Sequence, residues 1–301
     1  MPTITSSPII NISNVGAGGV DALTLDASFD AGIGTARGGP ADVPAWRTAG
    51  LAWGHAAPDW AYGFEPYARD AIEAIFSRLH VGTTTHLCDI ACGAGYALGR
   101  AERLGAMVAG LDASVGLLDI ASRRAPTAEL IAGDMFDLPW ADATFDVVTS
   151  FNGVWGGCDD ALVEARRVLR PGGAIGLTFW GPGDRLDLRD FFIALGTSTP
   201  TVGEEMVSLA NIGAPGVVES MLERAGFHQI ERFAAPAILE FTDDDHAWRV
   251  LRSPGLVVPA LDAVGDRQLR TTLLAGLEKF RASDGSYRLV NELTCVTAQT
   301  R

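Results

Sequence analysis

No stretch of this chain stays apolar for the roughly 18 residues that a membrane span needs, although 48% of its 301 residues are hydrophobic. Residues 1–40 have no basic start followed by a continuous apolar run, so no secretory leader is expected and the sequence points to a cytoplasmic protein. Basic residues are scarce, 23 Lys and Arg against 37 Asp and Glu, which leaves a formal charge of -14 at pH 7. A surface of that sign repels a phosphate backbone, and nucleic acid is excluded as an expected partner. The densest basic pairs, Arg123-Arg124 and Arg166-Arg167, read as solvated helix faces. Cysteine is also sparse. Cys88, Cys92, Cys158 and Cys295 form neither a C-x-x-C pair nor a Cys/His set at zinc spacing, so reduced thiols and no metal are expected.

What is present is a long, well-patterned globular sequence. Residues 1–45, rich in Gly, Ala, Ser, Thr and Asp, read as a flexible arm, and 46–301 as one domain with insertions. Aromatic residues crowd between Trp53 and Tyr67, and an amphipathic run from Ala68 to Leu79 follows, with Ile72, Ile75, Phe76 and Leu79 at helical spacing. Apolar, strand-like runs then alternate with helix-length segments: 86–90, 106–111, 129–132, 145–151 and 174–180. That alternation specifies an α/β fold with a doubly wound, mostly parallel sheet. Pro171-Gly172-Gly173 is expected to stop a helix and release the strand at 174. Beyond Trp180 the pattern predicts a helix over 215–225, an extended run over 227–241, helices over 246–252 and 261–280, and a closing extended run over 287–298.

The chemistry concentrates between His86 and Asn152. An apolar strand ends at Asp89 and runs into a turn containing Gly93 and Gly95, where missing side chains let a ligand reach backbone N–H groups at the start of a helix. Asp112 ends the next strand about 20 residues later, the position from which a carboxylate accepts both hydroxyls of a ribose, so an adenosine-type ligand is implied. Gly133-Asp134 ends the third strand, and Phe145-Asp146 opens the fourth.

The order of these motifs, closed by Leu169-Arg170-Pro171-Gly172-Gly173, resembles the class I S-adenosylmethionine-dependent methyltransferases, and within them the small-molecule enzymes of the ubiquinone-biosynthesis type. The likeness covers about Trp46 to Ala298. It implies a seven-stranded Rossmann-like sheet with an antiparallel last strand, an N-terminal lid over about 46–80, and cap insertions over about 181–215 and 242–284. It also implies S-adenosylmethionine as methyl donor, S-adenosylhomocysteine as product, and no metal. By the same likeness Asp89, Ala91, Gly93 and Gly95 line the methionine part of the donor, Asp112 binds the ribose, Asp134 accepts from the adenine amino group, and Met135 and Ala113 flank the ring. Gly133 and Phe151 belong to the same set, and Asn152 lies near the amino-acid end. Two departures stand out. Ala91 replaces the family's usual first glycine, and Asn152-Gly-Val-Trp-Gly-Gly157 follows the fourth strand in place of a commoner aliphatic and His pattern.

Methyl transfer from a sulfonium is an in-line displacement in which positioning and water exclusion supply much of the catalysis. The expected acceptor is a largely apolar small molecule held by Trp53, Trp60, Trp155 and Trp180, with Tyr62 and Trp60 as ligand-facing lid residues. If a general base acts, His55 is the first candidate and His246 the second. Two other readings compete. Gly93-x-Gly95-x-x-x-Gly99 also fits a dinucleotide turn of an NAD(P)-dependent oxidoreductase, and binding motifs alone admit a non-catalytic S-adenosylmethionine-binding protein. Sequence says nothing about oligomeric state.

Overall fold

The structure, a computed structural model, describes residues 43–198 and 212–301. The arm expected over 1–45 lies outside them except for its last three residues, as does the middle of the insertion expected over 181–215.

Seven strands, β1 (His86–Ile90), β2 (Met107–Asp112), β3 (Glu129–Ala132), β4 (Phe145–Phe151), β5 (Leu169–Trp180), β6 (His228–Phe241) and β7 (Tyr287–Gln299), form one sheet in the order β3-β2-β1-β4-β5-β7-β6. β1 to β5 pair in parallel, and β7 runs antiparallel to both neighbours, β5 and β6. Strands buried on both faces read as continuous apolar runs, and their alternate residues feed two cores. Leu87, Val108 and Val147 enter one, while Cys88, Ile90, Ala109, Leu111 and Val148 enter the other.

The α-helices of seven or more residues among the described residues are α1 (Ala45–Gly54), α2 (Arg69–Arg78), α3 (Tyr96–Arg103), α4 (Val115–Arg124), α5 (Asp159–Val168), α6 (Arg189–Ser198), α7 (Val217–Arg224), α8 (Asp244–Leu251), α9 (Val258–Val264) and α10 (Asp266–Leu277). Ser114 caps α4 through a bond from the Leu117 N–H at 3.3 Å, and Asp243 caps α8 through the His246 N–H at 2.8 Å, as short oxygen-bearing side chains do at helix starts. α6 follows β5, and α8 to α10 lie between β6 and β7, so both insertions leave the carboxyl end of the sheet. There α6 packs against α9 and α10. Residues 53–63 join them: a Cβ on Gly63 would collide with Val250, and one on Gly255 would lie 2.7 Å from Trp53.

Two expectations need correcting. β5 begins at Leu169, ahead of Pro171-Gly172-Gly173, because a register irregularity against β4 carries the bend within the strand instead of before it. The helix expected over 261–280 is broken at Gly265, whose φ of 80° is incompatible with helix, into α9 and α10, followed by a 3-10 turn at Glu278–Phe280.

Candidate functional site

The first and second strands end side by side, and the turn after β1 is built from left-handed backbone. Gly93 and Gly95 have φ of 56° and 76°, and so does Ala91 at 55°. An alanine in that region costs about 1 kcal/mol more than glycine, so the departure at Ala91 preserves the turn under strain. Asp112 holds the turn directly: its Oδ2 accepts from the Gly93 N–H at 2.8 Å and its Oδ1 from the Ser114 N–H at 2.7 Å. One carboxylate therefore ties the loop after β1 to the loop after β2.

Asp89 is buried and accepts from the Thr149 hydroxyl at 2.7 Å, a contact set by the parallel pairing of Asp89 with Thr149 across β1 and β4. Burial pushes its pKa up to about 8, and the charges of Glu65 and Asp112 add to the rise. Asp112 is raised as well, chiefly by burial. Glu65 completes the group. It opens the 3-10 turn Glu65–Ala68, is 8% exposed, and its Oε1 accepts from the Ala94 N–H at 2.9 Å while Oε2 pairs with Arg124. Burial raises Glu65 to about 7 against the opposing charge of Arg124. A Cβ on Gly93 would lie 2.9 Å from Glu65 Oε1 and 3.5 Å from Trp60 Nε1, an indole N–H that is buried and has no hydrogen-bond partner.

The sequence offered little sign of Glu65, since a glutamate ahead of a proline looks like an ordinary helix start, and its partner Arg124 is 59 residues away. Arg124 also corrects the reading of Arg123-Arg124 as a solvated pair. Its side chain is 18% exposed and donates to the Ala61 and Ala94 carbonyls besides Glu65. Arg167 is likewise engaged, with Glu164, Asp142 and the carbonyls of Leu138 and Trp140.

The other expected residues fall into three groups. Asp134 is half-buried beyond β3 and accepts from the Phe136 N–H at 3.0 Å, and Met135 packs beside it on the second core. Ala113 lies under α1, where a Cβ on Gly50 would run into its carbonyl oxygen. Asn152 has a φ of 58°, which asparagine tolerates better than most residues. Its Oδ1 accepts from the Thr178 hydroxyl at 2.8 Å, and its buried Nδ2 makes no well-formed hydrogen bond although Tyr67 lies beside it.

Of the expected aromatic group, Trp53 stands edge-on to Trp60 at 5.0 Å, Trp60 stacks on Phe64 at 5.1 Å, and Tyr67 stacks on Trp180 at 4.9 Å. Trp155 does not join them; it packs on the second core, into which Val154 and Cys158 also turn. Tyr62 does not join the ring stack either. It is 66% exposed, with Arg124 over its ring. No histidine sits at the turn among the contacts described. His55 is exposed beside the Arg252 and Ser253 backbone, and the His246 ring accepts from the Thr242 N–H at 3.2 Å. A cavity of about 350 Å³ lined by Arg78, His80, Asp146 and Gln299 opens at the amino ends of the strands, the wrong end for a ligand of this architecture.

A doubly wound sheet with acids at the ends of β1 and β2 and a glycine turn between them defines a nucleotide-binding α/β protein. Comparison with known proteins narrows this. Residues 88–177 match the model of a family described as "Methyltransferase domain". The chain is 32% identical over 194 residues to the malonyl-[acyl-carrier protein] O-methyltransferase of Dechloromonas aromatica, covering 64% of this chain and 68% of that one. It is 38% identical over 105 residues to the demethylmenaquinone methyltransferase of Corynebacterium kroppenstedtii, covering 34% and 45%. Among solved structures, a Haemonchus contortus phosphoethanolamine N-methyltransferase shares the fold with a TM-score of 0.53 at 17% identity, over 86% of this chain and 60% of that one. The chain belongs to the class I S-adenosylmethionine-dependent methyltransferases. Neither an oxidoreductase nor a non-catalytic reading is favoured.

Proposed function

We propose that the turn from Asp89 to Gly95, with Asp112, holds S-adenosylmethionine, and that the chain transfers its methyl group to an apolar small molecule. One observation carries the reading: three buried carboxylates, Asp89, Asp112 and Glu65, converge on a left-handed glycine turn with, among the described residues, a single adjoining guanidinium, that of Arg124. Burial raises all three carboxylates, and Arg124 offsets the rise at Glu65; the methyl donor brings a sulfonium and an ammonium. The unpartnered Trp60 Nε1 and Asn152 Nδ2 at the same place are donors awaiting an acceptor. The residues therefore fit the donor, and among the described residues no group of three or more His, Cys, Asp or Glu is arranged to hold a metal.

When bound, S-adenosylmethionine supplies a methyl carbon that leaves with the C–S electron pair staying on sulfur, so that a lone pair on the acceptor forms the new bond. The chain's own tasks are positioning and drying. Asp112 fixes the two loops that would frame the ribose, and Asp134 and Met135 stand at the next strand end, where the adenine would lie. Trp60, Phe64, Tyr67 and Trp180 form an aromatic wall that excludes water from the reacting atoms. The scarcity of histidines at the turn argues for proximity over general-base catalysis. A relative named a demethylmenaquinone methyltransferase supports an acceptor with an apolar body, and the charge of -14 argues against nucleic acid.

Incubation with methyl-labelled S-adenosylmethionine and a metabolite extract tests this. Label is expected in an organic-extractable small molecule; label confined to protein or RNA would contradict it.

A further inference from the structure

Glu65 has no role in the reading above except as part of a charged surrounding, yet its placement is specific. It is carried into the turn from another part of the chain, on the segment that also closes over Trp60. The Trp60–Phe64 stretch is a π-helical turn in which the Glu65 N–H bonds back to the Trp60 carbonyl, and the following Glu65–Ala68 turn is 3-10. One lid turn thus delivers both a buried carboxylate and a buried, unpartnered indole N–H to the same face of Gly93. A neutral side chain would accept the Ala94 N–H as well as Glu65 does, without the desolvation that a buried carboxylate incurs. The Glu65 Oε2 meets Arg124, while its Oε1 faces Gly93 beside the Trp60 indole.

We propose that Glu65 is a donor-binding carboxylate brought in on the lid, and that with Asp89 it forms an acidic clamp preferring the cationic methyl donor to its neutral, demethylated product. This rests on the site being the S-adenosylmethionine site. Among the described residues the groups that face Glu65 are Arg124 from α4, the Ala94 and Tyr96 N–H groups from the turn and α3, the Cys92 thiol of the turn, Asp89 at the end of β1, and the Tyr67 hydroxyl. Only Arg124 is cationic, and it also donates to two backbone carbonyls. The sulfonium is the one formal charge by which donor and product differ. A clamp that responds to it favours loading of the donor and loosens once the methyl group has gone.

The clamp's two carboxyls lie near pKa 7 and 8 without ligand. A cation arriving between them lowers both, so donor binding releases protons near neutral pH and product binding releases fewer. Below pH 6 the carboxyls are protonated and the preference fades.

The test is calorimetric titration of the full chain with S-adenosylmethionine, with S-adenosylhomocysteine and with sinefungin, which carries an amine where the sulfonium stands. Between about pH 5.5 and 7.5 the preference for the donor over the product is expected to rise by about tenfold, with proton release read from buffers of different ionisation enthalpy. Glu65→Gln, which keeps the shape and the acceptor for the Ala94 N–H, is expected to weaken S-adenosylmethionine and sinefungin by about tenfold and the product by less than about threefold. A preference that ignores pH, or a Glu65→Gln protein that loses all three ligands alike or none, overturns the clamp while the cofactor reading stands. A parent that binds none of the three overturns both. Should Glu65→Gln fail to fold, the parent's pH dependence and proton release still decide.

Discussion

Asp89 makes the protein's stability depend on pH in an unusual direction. Its carboxyl titrates at about 8 in the folded chain and near 4 in the unfolded one, because burial opposes its charge. The folded state therefore binds more protons than the unfolded state between those values, and stability falls as pH rises through the interval. Glu65, at about 7, acts in the same sense over a narrower window. Thermal unfolding of the ligand-free chain should show a Tm that declines from pH 5 to 8, and Asp89→Asn should flatten the decline. A Tm that rises over that range would show that these carboxyls are ionised throughout. Asp112 acts through contacts instead: Asp112→Ala removes the partner of two buried N–H groups, which costs about 2 to 4 kcal/mol, and denaturant unfolding should register it even without ligand. Ala91 offers the converse. Ala91→Gly relieves a left-handed alanine at φ 55°, and after the entropy of the more flexible unfolded chain is subtracted, a gain of up to about 1 kcal/mol is expected.

At the scale of elements, residues 60–65 decide what the turn meets. The π-turn at Trp60–Phe64 inserts a residue into the helical repeat, so faces inferred from ordinary helical spacing are displaced. Tyr62 goes to solvent, and Glu65 goes inward. Trp60→Ala is expected to lower turnover by about 10- to 100-fold through lost positioning, whereas Tyr62→Ala should change it by less than about twofold. Steady-state kinetics on the two variants separate them, and equal losses would return Tyr62 to the site. α1 is docked through its small residues, since a Cβ at Gly50 meets Ala113 and one at Gly54 would sit 2.7 Å from the Ser114 hydroxyl. Gly50→Val should destabilise by about 1 to 3 kcal/mol and lift α1 from the loop after β2. The core strands and the acids at their ends were legible because burial on both faces writes itself as apolar runs, and the chemistry sits where those runs stop. The Glu65–Arg124 pair and the place of Trp155 were not, because both depend on packing between segments far apart in sequence, which periodicity does not encode.

The whole molecule sets one face of its sheet edge to work. The segments after β5 and after β6, together with residues 53–67, gather over the carboxyl ends of the strands, while the cavity at the amino ends is lined by a single carboxylate, that of Asp146. A ligand bound at the carboxyl edge would tie these segments together, and a ligand present at a hundred times its Kd stabilises a protein by about 2.7 kcal/mol. The most direct test of the account is calorimetric titration of the parent and of Asp112→Ala with S-adenosylhomocysteine and with NADH. The parent should bind S-adenosylhomocysteine and not NADH, and Asp112→Ala should weaken that binding by about 30-fold or more, the equivalent of about 2 kcal/mol. Binding of NADH without S-adenosylhomocysteine, or an Asp112→Ala protein that binds as tightly as the parent, would contradict it.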